Sequence, residues 1–243
     1  MTARSFTVDL PVPRIALAVG AHPDDVEFGC GGTLAKWAAA GCAVHHLVCT
    51  DGAKGTWDPT TDTAALVLVR HDEQRAAAKA LGATGTVTFL GAVDGELEAS
   101  LTLRAAVAEV IRRVQPDVVL GHDPWKRYRL HPDHRAAGFL VCDAVVAARD
   151  PHFYPEQGLA PHRPSTLLLW EADEANHAED VSASLDTKLA ALEAHASQFE
   201  STMGAVDDAG LEAFRARVRA RAAEHGARAG VPAAELFAAI RDI

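Results

Sequence analysis

Cysteine is scarce: the chain has four in 243 residues and none in a CxxC pair, which leaves no disulfide framework and no thiolate metal site. Cys42, Cys49 and Cys142 sit in apolar helix-like or strand-like stretches, where a reduced thiol behaves as a small hydrophobe, so the chain reads as one for a reducing cytoplasm. Basic residues are also short. Against 33 Asp+Glu there are 23 Lys+Arg, a formal charge of −10, and phosphate backbones are held by excess basic surface, so nucleic acid is excluded as a partner. No apolar stretch approaches the roughly 18 uninterrupted residues of a membrane span. The segment Met1–Pro13, with Asp9 and two prolines, lacks the apolar core of a secretion signal. Internal repeats and low-complexity tails are absent as well.

What is present is a core. About half the residues are hydrophobic, enough at this length for one large domain over residues 1–243, with a core over about 12–200 and a C-terminal extension over about 201–243. Apolar runs at Ile15–Gly20, Ala43–Thr50, Thr86–Leu90, Val118–Gly121 and Thr166–Trp170 lack strict alternation, as strands covered on both faces do. Between them, Gly32–Ala40, Thr63–Leu81, Leu101–Val114 and His134–Ala148 carry helical spacing, with Gly41, Gly82 and Pro116 as stops. Alternating strand and helix predicts an α/β Rossmann-like sandwich with a mainly parallel sheet, helices on both faces, and functional loops at the carboxyl ends of the strands. Pro151–Pro164 reads as an ordered surface excursion. Asp173–Ser184 is polar, Leu185–Phe199 is helical in pattern, and Ala209–Ile243, rich in Ala, Arg and Glu, reads as a helical C-terminal cover.

Two clusters carry chemistry. His22-Pro23-Asp24-Asp25 follows the first apolar run, and His131-Pro132-Asp133-His134 follows the fourth at one remove. Either alone could be a turn whose carboxylate caps the next helix. Two His/Asp clusters beyond the carboxyl ends of two core strands are poorly explained as caps, and their convergence on one pocket describes a metal-dependent hydrolase. Catalytic zinc takes three protein ligands and keeps a further position open; His22, Asp25 and His134 supply such a set. Asp24 is then left free as a base, and His131, one helical turn before His134, can face a reacting carbonyl without binding metal. Asp123 and Asp133 are carboxylates placed to hydrogen-bond a site histidine from behind.

The residues Ala21-His22-Pro23-Asp24-Asp25-Val26-Glu27 with Gly31-Gly32-Thr33, together with His131-Pro132-Asp133-His134, resemble the PIG-L/LmbE family of zinc-dependent de-N-acetylases. The likeness continues through Thr50-Asp51-Gly52, Arg70-His71-Asp72-Glu73, Leu81-Gly82, Phe89-Leu90 and Asp94 and resumes at His195-Ala196-Ser197-Gln198. It implies the same roles: His22, Asp25 and His134 as zinc ligands, Asp24 as the base, His131 steadying the oxyanion or protonating the leaving amine. Arg70 and Asp94 match positions that hold sugar hydroxyls or nearby polar groups in members of that family. Arg70 could equally pair with Glu73 on its own helix, and Asp94-Gly95 also reads as a tight turn.

Two rival motifs fail. In Gly29-Cys30-Gly31-Gly32-Thr33-Leu34, Leu34 stands where a dinucleotide-binding loop needs its last glycine, so the glycines serve close packing of a helix on the sheet. Cys30 has no partner set for nucleophilic or ligand work. The loop His122–Arg129, with its basic Lys126, Arg127 and Arg129, borders the second cluster and faces either solvent or substrate, while His195 and Gln198 share a helical face that could close the pocket.

The function this implies is hydrolysis of an N-acyl group, acetyl in the first instance, from an amino-sugar-containing small molecule, with Zn2+ as cofactor or another divalent ion such as Fe2+. An amidase of thiol S-conjugates or glycosylated secondary metabolites is the alternative within the class, and a non-catalytic metal-binding protein the alternative outside it. A homo-oligomer is compatible with the sequence.

Overall fold

The computed structural model describes residues 6–243; the first five residues of Met1–Pro13 lie outside them. The strands are β1 (Thr7–Val8), β2 (Ile15–Gly20), β3 (Ala43–Thr50), β4 (Val87–Ala92), β5 (Val118–His122), β6 (Thr166–Trp170), β7 (His177–Asp180) and β8 (Ala234–Arg241). They form one sheet in the order β1-β7-β8-β6-β5-β2-β3-β4. Every pairing is parallel except those of β8, which runs antiparallel to both β6 and β7.

The helices are α1 (Asp25–Ala39), α2 (Thr63–Ala80), α3 (Leu101–Val114), α4 (Pro132–Arg149), α5 (Leu185–Glu193) and α6 (Asp208–Ala229). Successive side chains on a strand point to opposite faces, and β2 shows the result. Leu17 and Val19 pack with Val107 and Ile111 of α3 and Leu140 of α4, whereas Ala16 and Ala18 pack with Val26, Leu34 and Trp37 of α1 and Ala77 of α2. The small alanines leave room for the fully buried Trp37.

Strand β2 sits between β3 and β5, with Val19 opposite Val48's neighbour Leu47 on one side and Gly121 on the other. The chain leaves β2 toward β3 and β4 and returns on the far side as β5 and β6. That reversal opens a crevice at the carboxyl ends of β2 and β5, where the two His/Asp clusters were expected to meet.

The expected mainly parallel sheet with helices on both faces is present, and the C-terminal cover needs correction. Within Ala209–Ile243 only α6 is helical; Ala234–Arg241 is a strand inserted between β6 and β7. Its three alanines with Glu235, Leu236 and Arg241 favour helix, but burial of Leu236 and Phe237 in a sheet slot outweighs that local preference. The polar stretch Asp173–Ser184 likewise contains β7, whose His177 and Glu179 are fully buried because they bond to each other at 2.9 Å. The helix expected over Leu185–Phe199 ends at Glu193 and passes into a short 3-10 turn and one π turn. Helix α1 begins at Asp25, well before the expected Gly32, because its two halves join across a kink at Cys30. Among the described residues no helix is long and apolar enough to cross a membrane, and all four cysteines are unpaired.

Candidate metal centre and its cavity

The first cluster turns the corner from β2 into α1. Asp25 opens the helix, and its Oδ2 accepts the His22 backbone N–H at 2.7 Å, closing the loop on itself. Asp24 is held at φ 109°, ψ −27°, a left-handed conformation rare outside glycine. The second cluster opens α4, with His131 just before Pro132 and His134 in the first turn.

These elements stack four imidazoles. His122 lies on His134 with ring centroids 4.5 Å apart, His134 on His131 at 4.8 Å, and His22 meets His131 edge-on at 4.6 Å. Asp25 is the hub: Oδ2 is 3.3 Å from His22 Nδ1 and 3.3 Å from His122 Nε2, and Oδ1 is 3.3 Å from His134 Nε2. Ligand-type atoms of His22, His131 and His134 lie within 4.8 Å of one another, as do those of Asp25, His122 and His134.

Hydrogen bonding narrows the donor set. His22 Nε2 is taken by Asp133 Oδ2 at 3.0 Å and Asp94 Oδ1 at 3.2 Å, so its Nδ1 is the nitrogen left toward Asp25. Asp133 itself is anchored by the backbone N–H groups of Gly95 and Leu97. On His122, the indole N–H of Trp170 and the guanidinium of Arg129 both reach Nδ1, at 3.0 and 2.9 Å. Neither can accept, so Nδ1 carries the lone pair and Nε2 the proton that points at Asp25. His122 therefore orients Asp25 and has no free nitrogen for a metal. The atoms that remain, His22 Nδ1, the Asp25 carboxylate and His134 Nε2, form a mixed nitrogen and oxygen set that fits a divalent ion of the zinc or ferrous kind.

Charge follows from this packing. Burial disfavours a charged His22, but Asp133, Asp25 and Asp94 outweigh it and push its pKa up to about 12. Burial pushes Asp24 up to about 6, against the pull of Arg70 and with the push of Asp25. Burial also holds His131 below its ordinary value, reinforced by His22 and His134.

A cavity of about 890 Å³ opens over the centre, lined by His22, Asp24, Asp25, His131 and His134 on its floor and by Phe214, Arg217 and Arg221 of α6 on its far wall. The family description PIG-L: GlcNAc-PI de-N-acetylase matches residues 17–145, which span both clusters. The chain belongs to the PIG-L family. It is 37% identical over 186 residues to a diacetylchitobiose deacetylase of Thermococcus kodakarensis, covering 75% of this chain and 69% of that protein. It is 35% identical over 190 residues to a 1D-myo-inositol 2-acetamido-2-deoxy-alpha-D-glucopyranoside deacetylase of Rhodococcus opacus, covering 68% of this chain and 64% of that one. Among solved structures, the N,N'-diacetylchitobiose deacetylase of Pyrococcus horikoshii superimposes with a TM-score of 0.85 at 31% identity, over 94% of this chain and 84% of that chain. These PIG-L relatives are deacetylases of amino-sugar compounds by name.

Not every residue singled out from the sequence falls where it was expected. His22, Asp24, Asp25, His131, His134 and Asp133 converge. Asp94 contacts His22 from behind and also accepts the Lys54 N–H at 2.9 Å, within the Val93–Glu96 turn. Arg70 does not pair with Glu73, which instead binds Ser197; its guanidinium goes to the carbonyls of Pro23 and Gly52 and to Asp24 Oδ2 at 3.4 Å. Among the described residues no hydrogen bond joins the Asp123 side chain to a site histidine. Asp123 Oδ1 accepts the Trp125 N–H at 2.8 Å, a local turn. Of the basic loop, Lys126 and Arg129 reach Glu171, at 3.6 and 2.6 Å, on the cavity rim. His195 is fully buried against Glu27, and Gln198 lines the cavity.

Sequence reasoning missed His122, Trp170 and Gln74. His122 ends a buried strand in register with Trp170, one residue past the apolar run that stops at Gly121.

Proposed function

We propose that the protein is a zinc-dependent N-deacetylase that hydrolyses the acetamide of a small amino-sugar compound. The observation that carries this is Asp25, 3.3 Å from both His22 and His134, with Asp24 beside it on the floor of a cavity large enough for a saccharide. His22, Asp25 and His134 would hold the ion; once bound, it supplies Lewis acidity toward the amide oxygen, and ferrous iron could do the same.

The chain's own residues do the proton work. Asp24 takes a proton from the attacking water, and its burial keeps it a stronger base than a surface carboxylate. His131, held neutral by its cationic and apolar surroundings, donates an N–H to the carbonyl oxygen as charge develops there. The amine leaves only when protonated, and Asp24 returns to it the proton taken from the water. Arg129 and Trp170 fix His122, His122 fixes Asp25, and Asp133 fixes His22, so both ligands are pre-set by partners outside the metal's reach.

The test is release of primary amine from N,N'-diacetylchitobiose and other N-acetylated amino sugars by zinc-loaded protein. Asp24→Asn should keep its metal and lose turnover by about 10²- to 10⁴-fold, the usual worth of general acid–base catalysis, whereas His134→Ala should lose the metal. Absence of amine release across the panel, or near-normal turnover in Asp24→Asn, would overturn the reading.

A further inference from the structure

Asp24 occupies a backbone conformation that a side chain rarely adopts, with φ at 109°. Something must hold it there, because the preceding Pro23 has a fixed φ and no N–H with which to anchor the loop. The hold comes from one helix. Residues 70 and 74 of α2 are one turn apart and share a face, and they grip opposite sides of a single peptide unit. Arg70 Nη2 donates to the Pro23 carbonyl at 2.5 Å, and Gln74 Oε1 accepts the Asp24 N–H at 3.0 Å.

Each gripping group is itself fixed. Arg70 Nη1 also donates to the Gly52 carbonyl at 2.9 Å. The guanidinium lies so close to Gly52 and Gly55 that a Cβ on either would stand 2.8 or 2.3 Å from Nη1, which explains why both positions are glycine. The amide of Gln74 has only one workable orientation. Its Nε2 donates to Glu27 Oε1 at 2.8 Å, an oxygen that can only accept, and approaches His46 Nδ1 at 3.2 Å. That leaves Oε1 for Asp24. Glu27 in turn is held by His195 Nε2 at 3.3 Å, and Glu27, His46, Gln74 and His195 are all sealed from solvent.

We propose that Arg70 and Gln74 clamp the Pro23–Asp24 peptide and so position the carboxylate of Asp24 for proton transfer, with Glu27 and His195 behind Gln74 setting its amide the right way round. Gln74 is a positioning residue: it touches neither the cavity nor a metal-binding atom and acts through Asp24. The proposal rests on Asp24 being the base.

A double-substitution cycle with N,N'-diacetylchitobiose and zinc-loaded protein tests it. Gln74→Met keeps the shape of the side chain and removes the acceptor. It should retain its metal, leave KM nearly unchanged and lower kcat by up to about 10²-fold, the effect of misplacing a catalytic group by about an ångström. The Asp24 amide should also exchange with solvent deuterium faster than in the parent protein. In an Asp24→Asn background the same change should cost little further, because the group it positions is gone. An equal kcat loss in both backgrounds, a change confined to KM, loss of metal, or an unchanged exchange rate at Asp24 would each overturn the clamp. Full turnover by Asp24→Asn alone is a separate outcome, which overturns the base assignment and the clamp's catalytic role with it. Should Gln74→Met fail to fold, Arg70→Lys attacks the other side of the same peptide, since it replaces the two-nitrogen fork that reaches Pro23 and Gly52 separately with one nitrogen on a shorter side chain, and the same cycle and exchange measurement apply.

Discussion

At the scale of single residues, Asp24 connects environment to rate. Burial raises its pKa to about 6, Arg70 opposes that rise and Asp25 adds to it. A base works only when ionised, so kcat/KM should fall as pH drops through that region, and a bound divalent cation, pulling in the same sense as Arg70, places the limb at or below it. Arg70→Met removes a cation that favours the charged form, so the acid limb should move to higher pH in a profile recorded from pH 4 to 9 on the loaded enzyme. A limb that stayed put or moved lower would detach Asp24 from the pH dependence. The residues most legible in the sequence were those whose neighbours in the chain are also their neighbours in space: His22 with Asp25, and His131 with His134. His122 and Gln74 were not legible because their roles arise from contacts with Asp25 and Asp24 across strand and helix packing, which no local pattern announces. Arg70 shows the same limit from the other side. The i+3 rule offered it Glu73, but a buried arginine at this point of α2 meets backbone carbonyls first.

At the scale of elements, α1 is two helical pieces joined at Cys30, whose φ of −148° breaks the ladder. The second piece begins with backbone N–H groups that need acceptors, and these come from a distant strand. Glu235 of β8 accepts from Gly32 N at 2.9 Å and from Thr33 N and Oγ1 at 2.8 and 2.6 Å, and it neutralises Lys188 at 2.6 Å. The glycines of this run do serve close packing, as their sequence suggested. A Cβ at Gly29 would meet the Trp170 ring at 2.5 Å, and one at Gly32 would meet Val181 at 2.9 Å. Glu235→Ala would strand a buried lysine and uncap the second half of α1. It should destabilise the protein by about 3–5 kcal/mol, the usual cost of breaking a buried pair from one side. The midpoint of a urea titration followed by circular dichroism would register that loss, and a shift under about 1 kcal/mol would show that the cap is dispensable. Apart from the two-residue β1 and the first half of α1, the strands and helices up to Trp170 were legible because apolar runs and glycine or proline stops mark them. The strand that carries Glu235 was not, since its composition is that of a helix and only its slot in the sheet makes it extended.

At the scale of the whole molecule, β8 joins two parts of the sheet that have no other strand contact among the described residues: β6 on one side, β7 and with it β1 on the other. Its first half, Ala234–Phe237, pairs with β7, and its second half, Phe237–Arg241, pairs with β6. Deleting residues 231–243 should therefore release β7 and β1 and expose β6 as an unpaired edge. The deletion variant should collect in the insoluble fraction or lack a cooperative melt, and a soluble variant with an undiminished melting temperature would show that the sheet closes without β8. The same arrangement sets an order of events on the ribosome. Strand β1 is the first of the eight to be synthesised, yet its strand partner, β7, connects to the rest through β8, the last of the eight to emerge. While the chain is growing, β6 keeps one hydrogen-bonding edge bare, and the helix that walls the cavity, α6, has no docked strand behind it. A nascent chain can thus carry the entire imidazole cluster before it can hold the wall of its own substrate chamber. Premature termination just before Ala234 would leave a species with a sticky edge and a full complement of metal-binding side chains, a target for chaperones and proteases rather than a slower enzyme.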